Sequence, residues 1–302
     1  MATRDGEPFF YDHDGLRLAG RLWGKIGKDG ETGDAEAPAP LPIVCLPGLT
    51  RNSRDFTEVA RLIRERQPDR PVVAFDYRGR GLSAYADGPD AYTVPTEAAD
   101  TLAGLDHLGI SRAVFVGTSR GALVIHLIAA MRLSAIACAV FNDAGPRLET
   151  EGLRHIRDTV GIVESFADWE AAVDTVAASL GPTFPAMTRE DFERMARAGF
   201  IERDGGIFGD YDPRLLEPLR TMDLDGDGAL PELWDLFELM KAIPFLVVRG
   251  ENSALFSAET LIEMTMRHEA IETVTVAGQG HAPFLETAGL PERIRGFAQR
   301  CP

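Results

Sequence analysis

The sequence predicts an α/β protein: a doubly wound, mostly parallel β-sheet into which a helical segment is inserted. Two observations favour this fold class. Short, continuous apolar runs alternate with longer amphipathic stretches, which is the pattern of parallel strands covered on both faces by helices. The chain is also long for one domain and short for two, with 302 residues of which 45% are hydrophobic and 26% charged. One large domain that carries an insertion fits these values.

The predicted strands and helices follow each other in a regular order. A turn at 13–15 separates two apolar segments, Phe9–Tyr11 and Leu16–Trp23, and predicts a hairpin. Five buried-type strands and one alternating strand come next: Ile43–Leu46, Val72–Phe75, Val114–Gly117, Cys138–Phe141, Phe245–Val248 and Thr273–Val276. The helical patterns between and after them span 53–66, 96–108, 120–131, 257–268 and 291–299. Alternation of this kind predicts a parallel sheet.

Two segments interrupt the alternation. Residues 24–42 are rich in Gly, Pro and charge with almost nothing to bury, so they are predicted as a surface loop. Residues 146–242 contain no convincing strand, hold several amphipathic stretches, and are too long for an ordinary connection. We therefore expect an α/β core made of residues 1–145 and 243–302. The segment 146–242 is expected to form a helical cap over the carboxyl ends of the strands.

The charge and the cysteine content indicate which partners and which cellular compartment to expect. Lys and Arg number 31 and Asp and Glu 47, so the formal net charge is −16. Such an acidic surface disfavours nucleic acids and anionic membranes as partners. Three scattered cysteines indicate no disulfide framework, and Cys45 and Cys138 lie in apolar runs as small core residues. With no apolar signal segment and no stretch long enough to span a bilayer, we expect a cytoplasmic protein.

The most informative motif is G-T-S-R-G at 117–121, which has the pattern G-x-S-x-G. It follows a predicted strand and opens a predicted helix, the context in which this pattern forms a nucleophile elbow. A sharp turn there exposes the Ser119 side chain, and the flanking glycines avoid clashes in the turn. The N-terminus of the helix directs N–H groups and a partial positive charge at the same point. Ser119 is therefore the predicted nucleophile.

Two further features end other strands on the same edge of the sheet. The turn P-G-L at 47–49 is placed to supply the N–H of Leu49 as an oxyanion donor beside the N–H of Arg120. His281 follows the last predicted strand and can reach Ser119 as general base. The other five histidines lie in a turn, in helices or in the insertion, and we expect them to be structural.

On these residues the chain resembles the α/β-hydrolase-fold enzymes over nearly its whole length. The matching segments are LPGLTRNSRDF at 46–56, FDYRGRGLS at 75–83, VGTSRGAL at 116–123, FNDAGP at 141–146, VVRGENSALFS at 247–257 and GQGHAPFLET at 278–287. The resemblance implies Ser119 as nucleophile, His281 as base, and a structural turn near the site at 76–81. Members of the family include esterases, lactonases and C–C bond hydrolases, so the substrate stays open.

The triad acid departs from the family pattern. Similar sequences are expected to have Asp in the loop after the strand that ends near Gly250, where this chain has Ala254. Three interpretations stay open: Asp143 takes the role from the neighbouring strand, Glu251 takes it from the same loop, or no acid is present. Adjacent strands lie about 4.8 Å apart, so Asp143 can reach His281. Asp143 is the acid that we place in the predicted site.

These residues predict a serine hydrolase acting on a small to medium acyl substrate, most simply a carboxylic ester, through an acyl-enzyme. The alternative is an inactivated or acid-deficient variant that binds ligand with little turnover. We expect a small-molecule substrate as the partner and predict neither a cofactor nor a metal. An acidic run at 223–228 resembles the start of a calcium loop, but the twelfth position, which requires Glu, is Trp234.

Overall fold

The computed structural model describes residues 5–27, 40–224 and 231–301. Most of the surface loop predicted at 24–42, and most of the acidic run at 223–228, lie outside these residues. The described strands are β1 Glu7–His13, β2 Leu16–Trp23, β3 Ile43–Leu46, β4 Val72–Asp76, β5 Ala113–Thr118, β6 Ile136–Asn142, β7 Ser165–Phe166, β8 Phe200–Arg203, β9 Gly206–Gly209, β10 Phe245–Gly250 and β11 Ile271–Val276. The described helices are α1 Thr57–Arg66, α2 Val94–Leu108, α3 Arg120–Arg132, α4 Thr150–Thr159, α5 Trp169–Leu180, α6 Arg189–Gly199, α7 Glu217–Thr221, α8 Trp234–Leu239, α9 Ala258–Arg267 and α10 Leu290–Gln299.

Eight of the described strands form one sheet in the order β1-β2-β4-β3-β5-β6-β10-β11. β1 and β2 form an antiparallel hairpin, β2 is antiparallel to β4, and the other pairings are parallel. Strands β3, β4 and β6 are buried at every position, as continuous apolar runs predict. The carboxyl ends of the parallel strands meet at one edge of the sheet, where open α/β sheets bind their ligands.

Helices cover both faces of the sheet. On one face α1 packs against α10, over a layer that includes Val116 and Val248. On the other face α3 packs against α2 and α8, over a layer that includes Phe115 and Phe245. This arrangement confirms the predicted doubly wound fold. Each predicted strand and core helix is present with its ends within two residues, except that the first turn of the helix predicted at 53–66 is a 3₁₀ helix, Ser53–Phe56.

The segment 146–242, called the insertion below, differs from its prediction. Its described residues form helices α4–α8 and also a small antiparallel sheet in the order β7-β9-β8. The expectation that it contains no strand is therefore wrong. These strands have only two to four residues each, and nearly all of their residues are exposed or only partly buried, so they lack the pattern by which a strand is recognised.

The insertion is hydrogen-bonded to the loops that follow β3 and β4. Arg54 Nη1 donates to Asp210 Oδ2 at 2.7 Å, and the N–H of Asp212 donates to the carbonyl of Gly79 at 2.7 Å. The side chain of Asn52 donates to the carbonyl of Ala198 at 3.1 Å. These contacts hold the insertion against the carboxyl edge of the sheet, and its role as a substrate cap stays a prediction.

A disulfide joins Cys138 in β6 to Cys301 after α10, with their Cα atoms 6.0 Å apart. The expectation that Cys138 is an unpaired core residue is therefore wrong, whereas Cys45 is free and buried. Helix α10 packs on the face of the sheet that carries the Cys138 side chain, and this brings the end of the chain to β6. Residues 163 positions apart give no sequence signal of such a contact.

Two features are missing from the part of the chain that the structure describes. None of its helices combines the length and the apolar character that a membrane span requires. It also holds no group of three or more His, Cys, Asp and Glu side chains arranged to bind a metal ion. The cytoplasmic location stays a prediction.

Candidate active site

Ser119 lies in the tight turn between β5 and α3. Its backbone has φ 52° and ψ −111°, a strained conformation for a residue other than glycine. The turn requires glycine on both sides, because a Cβ on Gly117 would lie 2.5 Å from the carbonyl carbon of Gly121. A Cβ on Gly121 would lie 2.2 Å from the carbonyl oxygen of Leu46. The N–H of Ser119 donates to the carbonyl of Asn142 on β6 at 2.9 Å, so close packing of three backbone segments forms the elbow.

His281 lies in the loop after β11, and its imidazole bridges two side chains. Nε2 lies 2.8 Å from Ser119 Oγ, and Nδ1 lies 2.8 Å from Asp143 Oδ2. The imidazole is 18% exposed, whereas the Asp143 carboxylate is fully buried. The structure thus brings the three predicted residues together in one hydrogen-bond chain, which is the arrangement of a Ser–His–acid triad. Their catalytic roles stay predictions at this point.

Asp143 is held in place by β10. Its N–H donates to the carbonyl of Val248 at 2.8 Å, and its Oδ1 accepts from the N–H of Gly250 at 2.7 Å. Its backbone has φ 59°, a left-handed conformation that Asp adopts more readily than most residues. The first carboxylate oxygen is therefore fixed by the neighbouring strand, and the second is directed at His281.

The two other positions considered for the acid make different contacts. Glu251 is exposed, and its Oε2 accepts from the N–H of Gly278 at 2.8 Å. Ala254 is exposed and lines a polar surface cavity of about 570 Å³ together with Glu149 and Glu259. The loop after β10 therefore turns its side chains to other neighbours, and the carboxylate beside His281 comes from the end of β6.

The two proposed oxyanion residues border the serine. A Cβ built on Gly48 would lie 3.9 Å from Ser119 Cβ, so the turn at 47–49 packs against the elbow. Arg120 is the first residue of α3, and its N–H has no acceptor within the helix. The carbonyl of Leu49 accepts from Arg80 Nε at 2.9 Å, which fixes the peptide that follows Leu49. The donation of both N–H groups to a bound oxyanion stays a prediction.

Asn142 is a residue of the site that the sequence did not single out. Its carbonyl accepts from the N–H of Ser119, and its Nδ2 donates to the carbonyl of Pro283 at 2.9 Å and to Thr118 Oγ1 at 3.2 Å. The residue is buried, so it links the elbow directly to the loop of His281. The available signal was a polar residue at the end of an otherwise apolar strand.

An ion pair connects the loop of His281 with the insertion. Arg194 of α6 donates from Nε to Glu286 Oε1 at 2.6 Å. Burial raises the pKa of Glu286, and the Arg194 guanidinium only partly opposes that shift. The insertion therefore helps to fix the loop that carries the imidazole.

Known proteins match the chain over most of its length. A family model described as the alpha/beta hydrolase family matches residues 43–291, which include Ser119, Asp143 and His281. A 3-hydroxybutyrate-oligomer hydrolase of Cupriavidus necator is 33% identical over 268 residues, covering 85% of this chain and 88% of its own. A 2-(acetamidomethylene)succinate hydrolase of Mesorhizobium japonicum is 29% identical over 235 residues, covering 78% of this chain and 79% of its own.

A solved structure agrees with these relatives. The crystal structure of an alpha/beta hydrolase from Novosphingobium aromaticivorans matches with a TM-score of 0.85 and 34% sequence identity, and the match covers 99% of both chains. The family model spans the sheet from β3 to β11 and reaches the start of α10. The sheet, the family model and the hydrolase relatives together show that this chain belongs to the alpha/beta hydrolase family and has its fold.

Proposed function

We propose that the protein is a serine hydrolase that cleaves a small to medium carboxylic ester through an acyl-enzyme. The observation that carries the proposal is the hydrogen-bond chain from Ser119 through His281 to Asp143. Its two links of 2.8 Å join the groups in the order that nucleophilic catalysis requires. Membership in a family whose matched relatives are hydrolases supports it.

In the proposed reaction, His281 Nε2 takes the proton from Ser119 Oγ as this oxygen attacks the ester carbonyl carbon. The N–H groups of Leu49 and Arg120 donate to the carbonyl oxygen that becomes negative. Asp143 Oδ2 accepts from His281 Nδ1–H, holds the imidazole in the required tautomer and stabilises the imidazolium. His281 then gives the proton to the departing alkoxide. Water, activated by the same imidazole, hydrolyses the acyl-enzyme.

An ester of a hydroxy acid is the substrate class that one relative favours. The relative at 33% identity is named a 3-hydroxybutyrate-oligomer hydrolase, and ester bonds join the units of such an oligomer. Leu49, beside the serine, packs against an apolar cluster that contains Leu215 and Leu216 of the insertion. Apolar side chains next to the nucleophile suit a short aliphatic acyl group.

Two other functions are alternatives that the experiment described below distinguishes from ester hydrolysis. Cleavage of a 2-(acetamidomethylene)succinate is the second candidate, because a relative at 29% identity carries that name. A variant that binds ligand with little turnover was suggested by the alanine at 254. The hydrogen bond between His281 and Asp143 weakens that suggestion, since the imidazole has a carboxylate partner.

The test is hydrolysis of a panel that contains p-nitrophenyl acetate, p-nitrophenyl butyrate, a 3-hydroxybutyrate dimer and 2-(acetamidomethylene)succinate. We expect turnover of at least one ester, and we expect Ser119→Ala to lower kcat about 10⁶-fold, as loss of the nucleophile does in serine proteases. Ser253→Ala is a matched control, because Ser253 Oγ accepts local N–H bonds from Leu255 and Phe256 in the loop after β10.

Equal activity of the wild-type protein and Ser119→Ala, or loss of activity in Ser253→Ala alone, would overturn the proposal. Turnover of the succinate compound without turnover of any ester would favour the second candidate. Tight binding of an ester that is never hydrolysed would identify a ligand-binding variant.

A further inference from the structure

A cluster of three charged residues lies beside the site and has side chains that the proposed reaction does not use. Arg80, in the turn after β4, and Glu97, in α2, are completely buried, and the Arg120 side chain is 16% exposed. Glu97 Oε2 accepts from Arg120 Nε at 2.6 Å, and Glu97 Oε1 accepts from Arg120 Nη2 at 3.1 Å. The same Oε1 pairs with Arg80 Nη1 at 2.9 Å, so one carboxylate joins two guanidinium groups.

Both ends of this cluster reach a residue of the proposed oxyanion hole. Arg80 Nε donates to the carbonyl of Leu49 at 2.9 Å, and Arg120 carries the second proposed N–H donor on its own backbone. Leu49 lies after β3 and Arg120 begins α3, so these segments come from distant parts of the chain. The path from the Leu49 carbonyl through Arg80 and Glu97 to Arg120 ties the two segments together.

The cluster is charged although burial disfavours the charged form of each side chain. Burial would raise the pKa of Glu97, but the Arg120 and Arg80 guanidinium groups outweigh it and hold that pKa below its ordinary value. Burial also lowers the pKa of Arg80 against the opposing effect of Glu97. Apolar side chains of similar volume often stabilise a core as well as a buried ion cluster does. A buried ion cluster is therefore weak evidence of a role in stability, and its contacts with the oxyanion residues indicate another role.

We propose that Glu97 is a positioning residue that fixes the two oxyanion donors relative to each other, through Arg80 on one side and Arg120 on the other. The inference rests on the proposed function, because the two N–H groups matter only if an oxyanion forms. Such donors stabilise the transition state only when they lie about 2.7–3.1 Å from the developing oxyanion. A small relative shift of the two segments therefore lowers kcat more than it raises KM.

The experiment compares Glu97→Gln with Asp100→Asn. Both changes neutralise a buried carboxylate of α2 with little change of shape. Asp100 is 2% exposed and accepts two bonds from Arg78, at 2.7 and 2.8 Å, and it pairs with His13 instead of with an oxyanion residue. We expect Glu97→Gln to lower kcat on p-nitrophenyl butyrate roughly 10- to 100-fold with KM nearly unchanged. Asp100→Asn should keep the kcat of the wild-type protein.

Binding of a boronic acid gives a second readout that a purely structural role would not move. The boronate forms a tetrahedral adduct with Ser119 whose oxygen occupies the oxyanion hole, so its affinity should fall in Glu97→Gln by about the same factor as kcat/KM. Thermal unfolding checks that each variant is folded. Should Glu97→Gln not fold, Arg120→Met carries the test, because it keeps the N–H donor and removes the guanidinium that Glu97 holds.

An unchanged kcat in a folded Glu97→Gln, a rise in KM alone, or an equal loss in Asp100→Asn would overturn the positioning role. Activity of the wild-type protein that depends on Ser119 would leave the proposed function intact in those cases. A wild-type protein inert towards every ester of the panel would instead overturn the proposed function, and the positioning role with it.

Discussion

The carboxyl ends of β6 and β10 lie side by side in the sheet, yet they offer different chemistry to His281. β6 is followed directly by Asp143, whose buried carboxylate lies 2.8 Å from His281 Nδ1. β10 is followed by a loop that carries Glu251 and Ala254, both exposed. Among the described residues, the imidazole is therefore hydrogen-bonded to the carboxylate that follows β6, whereas Glu251 Oε2 accepts from the N–H of Gly278.

The position of the proposed acid depends on the register of two strands. Asn142 is paired with Val248, so the backbone after β6 runs along the end of β10. Gly250 of β10 donates its N–H to Asp143 Oδ1 and so orients the carboxylate. β6 therefore supplies the charge, and β10 supplies the backbone donor that aims it.

Of the changes at the ends of these two strands, removal of the carboxylate after β6 has the largest expected effect on kcat. Asp143→Asn should lower kcat about 10⁴-fold, as the same change does in serine proteases, because an amide favours the wrong imidazole tautomer. Glu251→Gln is the matched change after β10 and should leave kcat unchanged, since Glu251 bonds to the N–H of Gly278. The measurement is kcat on the best ester of the panel. Similar losses in the two variants would remove the distinction between the strands.

The Asn142 side chain at the end of β6 should contribute less to kcat than the Asp143 carboxylate. Asn142→Ala removes the bond from Nδ2 to the carbonyl of Pro283, and a small displacement of the His281 loop should lower kcat roughly 10-fold. Asn252→Ala is the control after β10, because its side chain donates to the carbonyl of Thr183 in the insertion at 2.9 Å. Steady-state kinetics should show a lower kcat in Asn142→Ala and the wild-type kcat in Asn252→Ala. A wild-type kcat in Asn142→Ala would refute the role of Asn142.

The disulfide of β6 should affect stability without affecting turnover. Cys301→Ser opens a link between positions 163 apart, and the chain-entropy account gives a loss of up to about 5 kcal/mol in the free energy of unfolding. Denaturant unfolding and kcat measure the two effects separately. A reductant should bring the wild-type protein to the stability of Cys301→Ser. Equal stability of the two proteins without reductant would show that the disulfide does not contribute to the free energy of unfolding.

The smallest effect is expected at the position after β10 where an acid was expected. Ala254→Asp should neither raise kcat of the wild-type protein nor restore activity to Asp143→Asn, because residue 254 is exposed and lines a surface cavity. Kinetics of the single and double variants would measure this. A large gain in either background would mean that the loop after β10 can still supply the acid.

The sheet and the elbow could be predicted because their signals are local. Continuous apolar runs marked the buried strands, and G-x-S-x-G between a strand and a helix marked Ser119. The partner of His281 could not be resolved, because the bond from Gly250 to Asp143 joins residues 107 positions apart and depends on the register of two strands. The disulfide from Cys138 was missed for a similar reason, since the packing of α10 creates it.

The insertion was harder to predict than the core. The three strands among its described residues are short and pair with one another, so no apolar run marks them. The ion cluster around Glu97 could not be predicted from the sequence either, because a charged residue within a helix usually indicates a solvated face. The position is buried in the folded protein, where α2 packs against α3 and Arg80 pairs with Glu97.

Proton NMR tests the contact between His281 and Asp143 directly, without knowledge of the substrate. An imidazole Nδ1–H that donates to a buried carboxylate should give a signal far downfield of the amide protons. We expect this signal in the wild-type protein, in Glu251→Gln and in Ala254→Asp, and we expect its loss in Asp143→Asn. A signal that survives in Asp143→Asn and disappears in Glu251→Gln would show that the imidazole is paired with Glu251 and not with Asp143.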